Sequence, residues 1–585
     1  MDVEQDALNG LTMLKSLDMS NNNMWSLPMN SLCSLSSLES INMSNNHLLD
    51  ITDLGLASDN ACQRLAAIKE LDVSGNFISS LRNGDLESTA SSLKRLDLSG
   101  NRLTYLSDES LYSMTNLEVL KLADNQLSAL GPPLFNMSQQ LKELHLQNNS
   151  LTLVTPELFN GLEHLVLLNL SYNAIASHLL SHDTFAGLSN LKILDLSHNQ
   201  ITDLSFVQEL QNLETLVLDH NQLETLQDLP KNLKTLSVAH NHLRRVNVEA
   251  NLTHINLSFN QLTSVDQVNG QNLEEFILSH NQLNVVPTKL LNSTSLRSLD
   301  LAHNGLTSLP PLSGLKNLYV LRLSGNSLTT LSNVTFANMS SLHVLNLADN
   351  QLEFLPQGTF EGLQQLHGLR LDRNALRDLN GVVASLGQLQ WLNVSDNALE
   401  WFDFAFIPHT LQFLDISHNE IGELGNFYNL DHFHLHTLVA SHNRITVVDE
   451  LPAKRLQFVQ LQHNTIFQVE PRALMALSDL DSIDLRYNQI QSLQKSVLTI
   501  QGSASSASAQ VFLRGNPLVC DCHLEWLPTI NQEAENHVRV ADLADLECQL
   551  NEQSQVRILT HQPFSQYIWR FYNSNPNAFS ILFFL

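Results

Sequence analysis

The chain has 585 residues, 43% hydrophobic and 15% charged, with 59 Asp and Glu against 31 Lys and Arg for a formal net charge of −28. That balance excludes a disordered polyelectrolyte and a multi-span membrane protein, and argues against a general electrostatic grip on nucleic acid or on an anionic lipid surface. At roughly 150 residues per domain the length allows about four domains, and five cysteines are too few for a disulfide-dense scaffold.

The first residues, Met1-Asp-Val-Glu-Gln-Asp-Ala7, hold no basic stretch and no apolar core, so no signal peptide is expected there. No apolar run approaches the ~20 residues that a membrane-spanning helix needs. From about residue 8 an internal repeat takes over. The pattern L-x-x-L-x-L-x-x-N-x-L recurs from residue 14 to residue 518, as in Leu117-Glu-Val-Leu-Lys-Leu-Ala-Asp-Asn125-Gln-Leu and Leu342-His-Val-Leu-Asn-Leu-Ala-Asp-Asn350-Gln-Leu. Its asparagine returns 22 times between Asn22 and Asn516, a mean period of about 23.5 residues. That is the period of a leucine-rich repeat. The expected fold class is therefore α/β: a horseshoe solenoid of about 22 coils with a parallel sheet along its concave face.

Each L-x-L is read as a short strand whose inward leucines stack into one continuous core. The repeat asparagine sits where the chain turns inside. Its amide both donates and accepts, so it can satisfy backbone groups of neighbouring coils. No upstream capping pattern precedes the first coil, so residues 1–515 are expected to form a solenoid without its N-terminal cap. Cys33 and Cys62 fall on outer segments of adjacent coils, where one reading is a disulfide between them.

Further along, Phe135, Phe159, Phe185, Phe336 and Phe360 each follow a repeat asparagine by about ten residues and are read as an aromatic spine on the outer side. Between Asn199 and Asn281 the spacing falls to 22, 20, 19 and 21, so those coils have less outer material. The position before the repeat asparagine is histidine in eight coils: His198, His220, His240, His280, His303, His418, His442 and His463. Successive coils place these in a column. Two readings stay open: one acceptable spelling of the strand end, or an array that titrates near pH 6.5. His220 and His240 are kept as partner-binding candidates.

Lys231, Lys234, His240, His242, Arg244 and Arg245 form a modest basic cluster, read as a solvated face; no nucleic-acid partner is expected. Trp401, Phe404 and Phe406 lie outside the expected core positions Leu399 and Phe402, which makes them candidate partner anchors. Convex-face packing is the alternative. His432, His434 and His436 alternate as strand neighbours would, but no cysteine pattern or carboxylate cluster accompanies them, and no metal site is expected. Asn-x-Ser/Thr sequons stand at Asn42, Asn136, Asn148, Asn169, Asn251, Asn256, Asn292, Asn333, Asn338 and Asn393, a count that the asparagine-rich composition alone accounts for. Asn42, Asn169, Asn256 and Asn393 fall on strands, where a glycan would obstruct the concave face.

At the C-terminal end Gly515-Asn-Pro-Leu-Val-Cys-Asp-Cys-His-Leu-Glu-Trp-Leu527 breaks the repeat, and Cys548 follows in Leu546-Glu-Cys-Gln-Leu. This resembles the C-terminal flanking cap of extracellular leucine-rich repeat proteins. The resemblance implies a Cys520–Cys548 disulfide. It leaves Cys522 unpaired, because the fourth cysteine expected soon after Phe564 is replaced by Phe564-Ser-Gln-Tyr. The cap is therefore expected over 516–566 and incomplete. Residues 567–585 form a non-repeat tail rich in aromatics, expected to be disordered or artefactual.

Taken with Asn23-Met-Trp-Ser-Leu-Pro…Cys33-Ser-Leu, Asn397-Ala-Leu-Glu-Trp-Phe-Asp-Phe-Ala-Phe-Ile-Pro408 and Thr410-Leu-Gln-Phe-Leu-Asp415, residues 8–560 resemble the first leucine-rich block of Toll-type receptor ectodomains, the arthropod long-ectodomain (Tollo) class. The resemblance implies an extracellular, disulfide-bonded glycoprotein that receives protein ligands, cystine-knot cytokines among them, or cell-surface partners. It implies roles in innate immunity or developmental cell recognition, and homo- or hetero-dimers. It also implies a signal peptide, a membrane anchor and a signalling domain that this sequence lacks, so contact with the membrane is expected only through segments absent from the chain. No phosphate loop, H-E-x-x-H or G-x-S-x-G is present, so neither enzyme activity nor a cofactor is expected. A soluble or matrix adhesion or decoy protein is one alternative, and a cytosolic leucine-rich scaffold the other.

Overall fold

The computed structural model describes residues 3–558 except 5–6, 29–30, 55, 57–66, 228, 249–250, 269, 380, 426–432, 452–453, 476, 499–507, 533–537 and 552–553. The chain forms two compact units. The first is Met1–Leu283 with Pro287–Leu296, and the second is Asn284–Val286 with Arg297–Leu585.

Both units are built from one local rule. Each coil offers three residues to a parallel sheet, and the middle one is an aliphatic or aromatic side chain that points into the core. In the first unit the strands run from Ser16–Asp18 to Glu275–Ile277, paired in register so that Leu96 lies beside Leu120 and Leu194 beside Leu216. In the second unit they run from Ser298–Asp300 to Val538–Val540. Leu321, Leu345, Leu369 and Leu392 are successive neighbours there and all are buried. The strands stop at three residues because the next position turns inward. Many coils close that turn with a side chain: Asp97 Oδ1 accepts from the Ser99 N–H (3.0 Å), and Asn169 Oδ1 does the same from Ser171 (2.9 Å).

The repeat asparagine has the role the sequence gives it. Asn125 Nδ2 donates to the Leu122 and Ala123 carbonyls of its own coil and to the Leu98 carbonyl one coil back, at 3.0–3.2 Å. Its Oδ1 accepts from the Leu103 N–H, also one coil back (3.0 Å). Asn350 repeats the pattern in the second unit with Leu347, Ala348, Leu323 and Leu328. One amide therefore satisfies four backbone groups that water cannot reach.

The position before that asparagine is left-handed, with φ between 51° and 57° in every coil from Asn21 to Tyr487 whose residue there is not glycine. Gly75, Gly100, Gly325 and Gly515 fill it elsewhere. Asn, Asp, His and Gly tolerate this conformation better than other residues, which explains the spelling of the repeat.

The outer side is made of turns and single 3-10 turns. Pro132–Phe135 and Pro156–Phe159 begin at proline, whose fixed φ suits a first helical position. Phe135, Phe159, Phe185, Phe336 and Phe360 are all fully buried. Phe159 stacks on Phe185 at 5.8 Å between centroids, and Phe336 on Phe360 at 6.1 Å. In the short coils a parallel strand pair, Arg245–Val248 with Ser264–Val268, runs along the outer side, which spans those coils with fewer residues.

At the end of the second unit Val538–Val540 adds to the sheet beside Ala509–Phe512. Leu518–Val519 pairs with Glu547–Asn551, and a disulfide joins Cys520 to Cys548 with Cα atoms 5.3 Å apart. Leu524, Leu527, Ile530 and Leu543 are buried beneath these strands. The Asp542 carboxylate accepts from the Leu513 and Arg514 N–H groups at 2.7–3.0 Å, where earlier coils such as that of Leu485 bond to a backbone carbonyl of the next coil. Cys33 is disulfide-bonded. Cys62, the side chain of Cys522 and the tail 567–585 lie outside the described residues. Among the described residues no helix is long and apolar enough to cross a membrane.

Candidate partner-binding surfaces

The second unit carries an apolar groove of about 390 Å³ on the outer side of the coils that hold Gly358, Gly381 and Trp401. Its making is local. Asp403 Oδ1 accepts from the Ala405 N–H (2.9 Å) and caps the single turn Phe404–Phe406. That turn faces Phe404 inward and Phe406 outward. Phe404 is 0% exposed, edge-on to Phe402 with centroids 5.0 Å apart. Phe406 is 50% exposed and Trp401 52%.

Phe404 must therefore be removed from the partner anchors. It stands seven residues past Asn397, as the fully buried Phe206 stands seven past Asn199. In these shorter outer segments the ring enters the core three residues sooner than in the 24-residue coils, so both belong with the buried spine. Trp401 and Phe406 do line the groove, together with Leu379, Val382 and Ile407, which periodicity did not single out. Glu361, Asp378 and Asp403 lie in the same wall, and among the described residues no Lys, Arg or His does.

A second feature lies in the first unit. Tyr172, His198, His220, His240, Phe259 and His280 form a column of stacked rings, with centroids 3.8–4.1 Å apart and planes within 15° of parallel. The second unit has its own column, His418, His442, His463 and Tyr487, at 4.1–4.6 Å. Each ring hangs from the left-handed residue of its coil, so the coil spacing sets the stack. Burial and the neighbouring His220 ring push His198 and His240 below the usual imidazole range, opposed by Asp219 and, at His198, Asp195. His442 is lowered by burial and by His418 and His463, opposed by Asp396. Tyr172, Phe259 and Tyr487 hold the same place before a repeat asparagine. The signal that would have found them was the position rather than the residue type.

The remaining candidates scatter. Lys234 pairs with Glu214 (2.7 Å), which also takes Lys192 (3.1 Å), so the basic cluster is partly neutralised. His434 is exposed and bonded to the His409 carbonyl (3.0 Å), and His432 lies outside the described residues. Asn136, Asn148, Asn251, Asn292, Asn333 and Asn338 are exposed, while Asn42, Asn169, Asn256 and Asn393 are half-buried on strands.

Comparison with known proteins agrees with this architecture. Models described as leucine rich repeat match residues 2–48, 67–127, 91–140, 139–201, 294–352 and 340–399; a two-copy model matches 189–231 and a further one 408–425. Together they cover more than half of the chain. Toll-like receptor 7 of Drosophila melanogaster is 46% identical over 274 residues, 46% of this chain and 19% of that protein. The chain thus matches about a fifth of that relative's length. Among solved structures, the Drosophila Toll–Spatzle complex in its glycosylated form has a TM-score of 0.60 at 21% identity, covering 90% of this chain and 67% of that one. YopM of Yersinia enterocolitica has a TM-score of 0.58 at 25% identity, covering 80% of this chain and 91% of that one.

Proposed function

We propose that this chain, which belongs to the leucine-rich repeat family, is the extracellular partner-binding portion of a Toll-type receptor and takes a protein ligand or a neighbouring cell-surface protein. The observation that carries the reading is the 46% identity to Drosophila Toll-like receptor 7 over 274 residues. A solenoid of this kind offers faces and flanks rather than a closed catalytic crevice, so its chemistry is recognition and not turnover. The solved Toll ectodomain of the same fold is bound to Spatzle. That supports a protein ligand, a cystine-knot cytokine among the candidates, and signalling in immunity or development. A dimer belongs to the same proposal.

The test is direct. The chain is secreted from insect cells behind a heterologous leader, and its binding to a panel of cystine-knot cytokines that includes Spatzle is followed by surface plasmon resonance. Saturable binding at micromolar concentration or below, competed by unlabelled ligand, is the expected result. A folded, glycosylated chain that binds none of the panel, and stains no cell surface as a labelled probe, overturns the reading in favour of a matrix or intracellular scaffold.

A further inference from the structure

The groove beside Trp401 combines an apolar floor with acidic walls. Its floor is aliphatic, from Leu379, Val382 and Ile407, and its lip is the two half-exposed rings of Trp401 and Phe406. Three carboxylates, Glu361, Asp378 and Asp403, share the lining, Asp403 already engaged as the cap of the Phe404–Phe406 turn, and among the described residues no basic side chain lines it. Gly381, at φ +68°, makes the left-handed turn beside the Phe406 ring.

We infer that this groove docks a basic loop of a partner protein, through an arginine or lysine flanked by an apolar residue. The cation lies against the Trp401 face, where the ring quadrupole attracts it, and its charge is met by Asp378 and Glu361. The apolar neighbour fills the Leu379–Val382–Ile407 floor. A volume of about 390 Å³ falls in the range of ligand pockets. Arginine suits the site better than lysine, because its planar group can stack and pair with a carboxylate together. This inference deepens the proposed receptor function by giving one of its contact surfaces a chemistry, and it rests on that reading for its biological setting.

The test uses the whole chain and two probes, acetyl-Leu-Arg-Phe-amide and acetyl-Leu-Glu-Phe-amide, with affinities measured by thermophoresis at low and high salt. The arginine probe is expected to bind at least tenfold tighter than the glutamate probe, with the preference shrinking as salt rises. Trp401→Ala is expected to weaken the arginine probe at least tenfold. Glu361→Gln with Asp378→Asn is expected to abolish the preference for arginine while the thermal melt stays in place. Equal affinities for the two probes, or arginine binding unchanged in both variants, overturns the inference. Its failure is separable from failure of the receptor reading. Cytokine binding that survives Trp401→Ala keeps the receptor and removes the groove, whereas probe binding without any cytokine binding does the reverse.

Discussion

His220 lies face to face with His240, with ring centroids 4.0 Å apart and planes 11° from parallel. A proton on His240 would place charge against the His220 ring. The lowered affinities of His198, His240 and His442 have burial as their first cause and the adjacent imidazoles next. In the unfolded chain these groups titrate near 6.5. A histidine lowered in the folded state binds fewer protons there than in the unfolded chain, so stability rises with pH across the window. Their contribution is complete above about pH 6.5 and declines as pH falls below it. Asn is tolerated at the left-handed φ of 55° and carries no charge, so His220→Asn keeps the backbone while removing one neighbour from each of two rings. The expected outcome is a smaller drop in the urea midpoint between pH 7.5 and 5.5 for the variant than for the parent chain. An unchanged drop would mean the column does not couple to folding.

Asn350 and Asn22 occupy the same repeat position with unequal burial. Asn350 bridges its own coil to the one before it, whereas the exposed Asn22 donates to Met19 and Ser20 in its own coil. Asn350→Ala is expected to cost about 1–3 kcal/mol for the buried groups it orphans. Asn22→Ala is expected to stay within about 0.5 kcal/mol. Repeat arrays lose stability locally, so amide hydrogen exchange at Leu328 is the better readout than a global melt. Faster exchange there in Asn350→Ala, with little change from Asn22→Ala at the first coils, is the expected pattern.

The two aromatics beside the groove separate in the opposite way. Phe404 is fully buried, and Phe404→Ala is expected to cost about 3–5 kcal/mol through lost burial and the cavity left behind. Trp401 is half-exposed, and Trp401→Ala is expected to cost about 1 kcal/mol or less. Thermal melts of the two variants check this. Similar losses would mean that Trp401 is part of the core and that the groove is only a packing defect.

Much of this was legible in the residues. The period of the asparagines placed the strands, and the donor–acceptor nature of the amide placed the asparagine inside the turn. The phenylalanine offset of ten residues found the spine from Phe135 to Phe360. What it missed has one physical origin: offsets counted along the chain do not say which way a side chain faces in a shortened outer segment. Phe404 and Phe406 differ by two positions and point to opposite sides of one 3-10 turn, set by the Asp403 cap. The histidines looked like a titrating motif because their residue type was conspicuous. Their position is fixed by a left-handed backbone that Asn, Asp and Gly fill in other coils. The groove joins residues from three coils, so no single repeat shows it.

The strand sequons put the same distinction to work. Asn169 Oδ1 accepts from both the N–H and the hydroxyl of Ser171, at 2.9 and 2.8 Å. In the next coil Asp195 makes the same two bonds to Ser197, at 2.9 and 2.7 Å. The turn needs a short side-chain oxygen and is indifferent to the amide. Asn169→Asp is therefore expected to leave the melt nearly unchanged, while Asn169→Gln, one methylene too long, costs about 1 kcal/mol. In the secreted chain, peptide mass mapping should find glycans at the exposed Asn136, Asn148, Asn251, Asn292, Asn333 and Asn338. It should find Asn42, Asn169, Asn256 and Asn393 unmodified, because each is half-buried and each shares its oxygen with the serine of its own sequon. A glycan on Asn169 would show that the strand face is closed to partners in that coil, and that binding must use the flanks or the outer side.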